Sequence, residues 1–162
     1  MFNLRMGGAF GVYYGSGSGY YYVRGPDFFV LQPEAGFAVT KDRNGYLLAP
    51  VQFELTPGLA VVMLPFGFQY DIPLPVPGLY LTPRISGGYA AWVSTGYVYG
   101  PYYGGYYGAT SHTGFMMPEF GAKYVIKGRI NAGGELFSLP IFFGPGGAAV
   151  QYRVLFYGGI NL

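Results

Sequence analysis

The sequence predicts an all-β fold: a transmembrane antiparallel up-and-down β-barrel of eight strands, forming a single domain over residues 1–162. Three observations favour it. Side chains alternate between a polar and an apolar face along most segments, only 10% of the residues are charged, and aromatic residues reach 20%. Soluble domains usually carry about 25% charged residues. A soluble surface so poor in charge would expose large apolar patches.

The run 32–40 illustrates the alternation, because successive side chains of a strand point to opposite faces. One face carries Glu34 among glycine, alanine and threonine, whereas the other carries Phe37 and Val39. In a soluble sandwich the apolar face would form the core and the charges would meet water. Charges among small residues, opposite large aromatics, are instead typical of a barrel whose apolar face meets lipid.

Eight strand-like segments follow one another along the chain, most of them about 10 to 15 residues long, and a tilted membrane strand needs about 9 to 11. They are Leu4–Gly15, Phe28–Thr40, Tyr46–Leu55, Leu59–Tyr70, Leu79–Val93, Thr113–Ile126, Ile130–Phe142 and Ala149–Leu162. A ten-stranded barrel is the alternative, with extra strands drawn from Gly19–Arg24 and Tyr97–Tyr107.

The connections between these segments alternate in character. Lys41–Gly45, Asp71–Gly78 and Lys127–Arg129 are compact and mostly polar, whereas Gly15–Asp27 and Ser94–His112 are longer. Short turns on one side and longer loops on the other are typical of outer-membrane barrels. This arrangement predicts that both termini and the short turns lie in the periplasm.

The charge-free stretches do not suit transmembrane helices. Leu55–Tyr70 is interrupted by prolines and glycines, and Ile85–Pro118 consists largely of glycine, tyrosine, serine and threonine. Prolines also fall inside the predicted strands, where they cannot donate to a ladder, so we expect bulges or a locally relaxed ladder there. These prolines are Pro33, Pro50, Pro65, Pro83, Pro118 and Pro140.

Extending the alternation puts four acids and four bases on the inward face of the barrel. Buried charges are tolerated when they are paired and hydrogen-bonded. The sequence therefore predicts a salt-bridged network that closes the lumen, and a polar path for ions or small solutes is the alternative. The predicted network is Arg5, Glu34, Glu54, Arg84, Glu119, Lys123, Glu135 and Arg153. The other charges, Asp71 among them, are predicted to lie in turns or loops.

Other classes of site find little support. The chain has no cysteine, which excludes disulfides, thiolate catalysis and zinc–thiolate sites. His112 is the single histidine, and we expect it to be an exposed loop residue. A net charge of +2 without a basic cluster does not indicate nucleic-acid binding. We therefore predict no catalytic residue, no metal site and no cofactor.

A tyrosine- and glycine-rich segment over residues 96–108 is the most unusual local feature. It predicts either a hairpin that extends the two flanking strands or an adhesive, ligand-binding loop, since tyrosine offers rigid amphipathic contact area. The residues of this candidate external binding loop are Tyr97, Tyr99, Tyr102, Tyr103, Tyr106 and Tyr107.

Taken together, the chain resembles small bacterial outer-membrane β-barrels, the class that includes the outer-membrane-protein-A-type membrane domain and the opacity-like proteins. The resemblance is architectural and covers nearly the whole chain. The chain departs from many relatives by ending in Leu162, where an aromatic residue is common. Met1–Arg5 lacks the features of a signal peptide, so for an exported protein we expect a mature or trimmed form.

This resemblance implies a bacterial outer-membrane location and a role in anchoring, adhesion or minor permeability, without catalysis. We therefore expect a non-enzymatic monomer that contacts the lipid bilayer and, through its loops, an extracellular ligand. Two alternatives remain: a narrow channel or carrier for small solutes, and a secreted Tyr/Gly-rich structural protein.

Overall fold

The computed structural model describes residues 1–16, 19–23, 27–94, 98–99, 104–105, 110–144 and 147–161. Their regular elements are all strands, and they include no helix long and apolar enough to cross a membrane. In chain order these are β1 (Phe2–Ser16), β2 (Gly19–Val23), β3 (Phe28–Ala38), β4 (Gly45–Pro50), β5 (Gln52–Thr56), β6 (Leu59–Tyr70), β7 (Ile72–Pro73), β8 (Leu79–Ser94), β9 (Val98–Tyr99), β10 (Gly104–Gly105), β11 (Thr110–Ile126), β12 (Ile130–Ser138), β13 (Ile141–Gly144) and β14 (Gly147–Ile160).

The strands form a closed antiparallel ring of eight. β4 and β5 together make one barrel strand, and so do β12 and β13. The ring runs from β1 through β3, β4/β5, β6, β8, β11, β12/β13 and β14 back to β1, where Phe2 faces Ile160. The eight-strand prediction is confirmed.

The ten-strand alternative is wrong. Among the described residues β2 pairs only with β1, and β9 pairs only with β10. These short strands therefore lengthen hairpins above the ring and do not widen it.

The two ends of the barrel differ. The β3–β4, β6–β8 and β11–β12 turns lie at the end that also holds Met1 and Asn161, and we call it the short-turn end. There Met1 N donates to Gly36 O, and Asn161 N donates to Arg129 O at 2.7 Å. The connections β1–β2, β5–β6, β8–β11 and β13–β14 lie at the opposite end, the long-loop end.

The two interruptions of the ring strands lie opposite prolines. Val51 separates β4 from β5 and donates its N–H to Pro33 O at 3.0 Å. Leu139 and Pro140 separate β12 from β13, and Leu139 N donates to Pro118 O at 3.1 Å. The ladder is thus locally relaxed at Pro33 and Pro118, as the sequence suggested. Pro65 lies within β6 without any register shift.

Alternation sorts the side chains of the barrel into an outer and an inner set. Large apolar side chains cover the outside, with Phe66 and Phe156 more than 60% exposed. No charged side chain is exposed on the strands wherever side chains are described. The outward belt includes Leu4, Met6, Phe37, Val39, Leu55, Leu64, Phe66, Ile85, Phe120, Tyr124, Ile130, Phe156 and Ile160.

Candidate functional site

The half of the barrel interior nearer the long-loop end is apolar. Trp92 packs edge-on against Phe142 and Phe28, with ring centroids 5.1 Å and 6.4 Å apart. Phe115 packs beside Phe142 at 6.0 Å. Val61 and other aliphatic side chains complete this apolar cluster. The polar lumen predicted from the sequence is therefore not found in this half of the interior.

Five charged side chains form a chain of ion pairs across the other half of the interior. Arg5 lies between Glu135 and Glu34, with 2.9 Å from its Nη2 to Glu34 Oε1. Arg84 lies between Glu34 and Glu119, with 2.6 Å from its Nε to Glu119 Oε2. All five side chains are buried. Glu34 is the central link, because both arginines contact it.

Neutral donors add hydrogen bonds to two of these carboxylates. Glu34 accepts from Asn3 Nδ2 at 3.0 Å and from Gln32 Nε2 at 3.3 Å. Glu119 accepts from Ser86 Oγ at 3.2 Å and from Ser138 Oγ at 3.4 Å. Removing charges from water costs several kcal/mol per ion, and these ion pairs and hydrogen bonds offset part of that cost.

A further pair lies nearer the short-turn end. Lys123 forms an ion pair with Asp71, which also accepts from Gln69 Nε2 at 2.8 Å. The Lys123 Nζ lies 5.2 Å from the centroid of the Tyr46 ring. Asp71 lies in the connection after β6, as predicted, but its side chain points into the interior and is only 3% exposed, so the predicted set of interior charges lacks one acid.

The signal for Asp71 was present in the sequence. Asp71 follows the inward-facing Gln69 by two positions, so the same alternation that places Gln69 inside also places Asp71 inside. Among the residues whose side chains are described, the interior therefore holds five acids against four bases, and not the balanced set that the sequence suggested.

A third charged group lies at the boundary between the polar and apolar halves. Arg153 pairs with Glu54, which accepts from Gln52 Nε2 at 2.7 Å and from Gln151 Nε2 at 3.3 Å. The guanidinium also approaches two thioethers, with Nη1 2.9 Å from the Met117 sulfur and Nη2 3.1 Å from the Met63 sulfur. Arg153 thus joins the charge network to the apolar cluster.

All eight residues of the predicted network lie in the barrel interior, and each has an oppositely charged partner. The candidate external loop is different. Tyr99 belongs to β9, whereas the placement of its side chain and of the other five loop tyrosines lies outside the described residues. No group of three or more histidine or acidic side chains suited to a metal ion occurs in the part of the chain that the structure describes.

His112 is not in a loop, which corrects the sequence-based expectation. It lies in β11, exposed on the outer face, and stacks on Tyr89 with centroids 5.5 Å apart and an interplanar angle of 19°. Its Nδ1 shares a hydrogen bond with the Tyr89 hydroxyl. Strand β11 begins three residues earlier than predicted, because it pairs with β8 up to Val93.

No protein-family model matches the sequence, and no curated protein matches it either. Solved structures do resemble the fold. Neisserial surface protein A (NspA) superposes with a TM-score of 0.58 at 9% identity, covering 96% of this chain and 95% of its own. Ail, the attachment invasion locus protein of Yersinia pestis, gives 0.51 at 11% identity, covering 99% and 97%.

By its structure, the chain is a small β-barrel of the bacterial outer-membrane type. The outer membrane enzyme PagL also aligns, with a TM-score of 0.49 at 10% identity over 96% of this chain and 97% of its own, which is too distant to argue from. At such identities the likeness extends to the fold alone, and the fold of this outer-membrane-type barrel does not determine its role.

Proposed function

We propose that this protein is a non-enzymatic barrel of the bacterial outer membrane that serves a structural or adhesive role. Its interior is closed, and its Tyr/Gly-rich connections lie at the long-loop end. The single observation that carries the proposal is the pairing of charges inside an apolar exterior. This is the reverse of a soluble protein, in which charges face water.

The outer surface supports membrane insertion. Phe66 on β6 and Phe156 on β14 are among the most exposed side chains of the described chain. Exposed apolar side chains recur on every barrel strand, and a monomer in water rarely exposes apolar patches larger than a few hundred Å². Lipid removes this cost, and a closed ring satisfies the backbone groups that an open sheet edge would leave unpaired.

The interior supports a closed barrel. An eight-stranded barrel is just wide enough to be filled by its own side chains or to hold one small ligand. Here the chain of ion pairs around Glu34 fills one half, and aromatic side chains including Phe142 and Trp92 fill the other. A solute would have to break buried ion pairs and then displace packed rings.

The adhesive part of the proposal depends on the long-loop end. Residues 96–108 are rich in tyrosine, and β9 and β10 pair as a short hairpin within this segment. Tyrosine loses little conformational entropy on binding and combines apolar area with a hydroxyl, so such a segment suits recognition of a surface ligand.

Mobility on SDS gels after refolding in detergent tests whether the chain forms a closed membrane barrel. We expect unboiled protein to migrate differently from boiled protein, because a closed barrel resists SDS until it is heated. A chain that shows no shift and stays soluble or fibrillar in plain buffer would instead be a secreted structural protein.

Binding of fluorescently labelled, refolded barrel to bacterial or host cell surfaces tests the adhesive part. A variant in which Tyr102, Tyr103, Tyr106 and Tyr107 are replaced by serine is the matched control. We expect the parent barrel to bind and the variant not to bind. Both proteins should show the same heat-dependent change in gel mobility. Equal binding by both proteins would show that these loop tyrosines do not carry adhesion.

A further inference from the structure

The charges outside the interior are concentrated at the short-turn end. The β3–β4 turn carries Lys41, Asp42 and Arg43, and the β11–β12 turn carries Lys127 and Arg129, all of them exposed. The sequence connections at the long-loop end contain just one base and one acid. The net positive charge outside the interior therefore lies at the short-turn end.

These turn bases differ from the interior bases in their partners. Each interior base has a carboxylate partner. In contrast, none of the four turn bases has an ion-pair partner within 4 Å among the described residues. The acid of the patch, Asp42, accepts instead from neutral groups: the Thr40 hydroxyl, the Tyr70 hydroxyl at 2.7 Å and Asn44 N at 3.2 Å. The four positive charges are thus available to an external anion.

The bases lie directly beside the outward apolar belt. Ile126 and Ile130, which flank the β11–β12 turn, are 44% and 54% exposed, and Val39 comes just before Lys41 with half of its surface exposed. A residue just beyond the lipid-facing side chains lies at the depth of the headgroups, and long basic side chains reach that region readily. The position therefore favours a headgroup phosphate over a soluble partner.

Both turns are held in place by hydrogen bonds. Arg43 N donates to Thr40 O at 3.0 Å, and Gly45 N donates to the Thr40 hydroxyl at 2.8 Å. In the second turn Arg129 N donates to Ile126 O at 3.1 Å. A recess of about 770 Å³ opens between the turns, with Lys41 and Arg43 on its wall. Bases on ordered turns lose little backbone entropy when they bind an anion.

We propose that the short-turn end binds the phosphate groups of anionic phospholipids in the leaflet that it reaches. The basic patch of Lys41, Arg43, Lys127 and Arg129 fixes the depth and orientation of the barrel in the bilayer. This inference rests on the proposed membrane insertion and adds a lipid preference to it.

The test uses the refolded barrel in phosphatidylcholine bilayers that contain a trace of spin-labelled lipid. Electron spin resonance gives the association of labelled phosphatidylglycerol with the protein relative to labelled phosphatidylcholine. Each base near an anionic surface contributes about fivefold. We expect a severalfold preference for phosphatidylglycerol at low salt, weakened in 1 M salt, where the Debye length is about 3 Å.

Two quadruple variants separate charge from structure. K41Q/R43Q/K127Q/R129Q removes the charges, and we expect its preference to fall to about one. K41R/R43K/K127R/R129K keeps every charge at the same positions, and we expect it to retain the preference. A preference that survives in the glutamine variant, or that is absent from the parent barrel, would overturn the inference.

A soluble anion is the other occupant that the experiment distinguishes. If glycerol phosphate abolishes the lipid preference while chloride of equal ionic strength does not, the recess binds a free phosphate and the lipid assignment is wrong. Heat-dependent gel mobility is measured on every sample. A parent barrel that shows no shift contradicts the proposed insertion itself, whereas an inserted barrel without lipid preference contradicts only this inference.

Discussion

Arg84 illustrates how single residues hold the interior together, because it contacts both Glu34 and Glu119. We expect Arg84→Leu to destabilise the barrel by about 3–5 kcal/mol, since it leaves the buried Glu119 without an ion-pair partner and Glu34 with Arg5 alone. Urea titration of the refolded barrel in micelles or vesicles measures the loss. Unchanged stability would mean that the ion-pair chain does not hold the interior.

Two controls separate loss of charge pairing from loss of volume. Arg84→Lys keeps one positive charge and should lose less stability than Arg84→Leu. The double variant Arg84→Leu with Glu119→Leu removes the unpaired acid along with the base, so we expect it to recover part of the loss. If the double variant is less stable than the sum of the single variants predicts, unpaired charge is not the cause.

The stability that Asp42 contributes to the β3–β4 turn is expected to depend on pH. Hydrogen bonds from Thr40, then from Tyr70 and the Asn44 amide, lower the pKa of Asp42 to about 2. A lowered folded pKa means that the stability contributed by this turn is fully present above the ordinary aspartate range near pH 4. It is lost as the pH falls from about 4 towards 2.

Carbon-13 NMR of the Asp42 carboxyl in micelles checks this pKa. We expect a midpoint near pH 2 in the parent protein and a higher midpoint in Thr40→Val, which removes the largest contribution. Tyr70→Phe serves as the partial control and should raise the midpoint less. A parent midpoint near 4 would show that the turn hydrogen bonds do not form.

At the scale of a single element, β12 contains a bulge. Its register shifts against β11 between Phe120 and Gly121, and against β14 between Glu135 and Ser138. Leu136 and Phe137 are therefore consecutive exposed residues between the buried Glu135 and Ser138. One extra residue lets both polar side chains point inward.

The register of β12 shifts by one residue against both neighbouring strands at the same place. Deleting Phe137 should therefore leave a regular strand. We expect this variant to keep its heat-dependent gel mobility. The matched control deletes Phe68 from β6, which has no bulge. That deletion turns the side chains in one part of the strand to the opposite face of the barrel. It should abolish the heat-dependent change in gel mobility. If both variants lose the heat-dependent change in gel mobility, the bulge is required for the barrel to close.

At the scale of the whole molecule, the barrel interior consists of two layers with different chemistry. The ion-pair chain around Glu34 lies nearer the short-turn end, and the cluster around Phe142 and Trp92 lies nearer the long-loop end. A polar path is interrupted by the apolar layer, and an apolar path by the charged layer. A solute suited to one layer is therefore unsuited to the other.

Conductance in planar bilayers tests this arrangement. We expect refolded barrel to insert without giving steady, discrete openings, because ions cannot cross the apolar layer. Phe142→Ala with Trp92→Ala opens that layer and is the variant most suited to produce leakage. Steady openings of the parent protein would favour a narrow channel for small solutes.

Much of the fold could be read from the chain because alternation in a strand is a local property. Glu34 and Phe37 differ in parity, and parity alone assigns one to the interior and the other to lipid. The same reasoning locates the eight predicted interior charges. The predicted set lacks Asp71, because the predicted strand ends at Tyr70 although Asp71 continues the alternation of Gln69.

The sequence by itself determined the strand pattern, the lipid-facing belt and the set of charges that point inward, since each follows from the spacing of neighbouring residues. The tertiary structure alone decided which acid meets which base and where the apolar layer lies, and it excluded the ten-strand alternative. Glu34 is 50 residues from Arg84 in the chain, yet they form an ion pair. Such pairs depend on strand register and barrel curvature, which are set by closure of the whole ring.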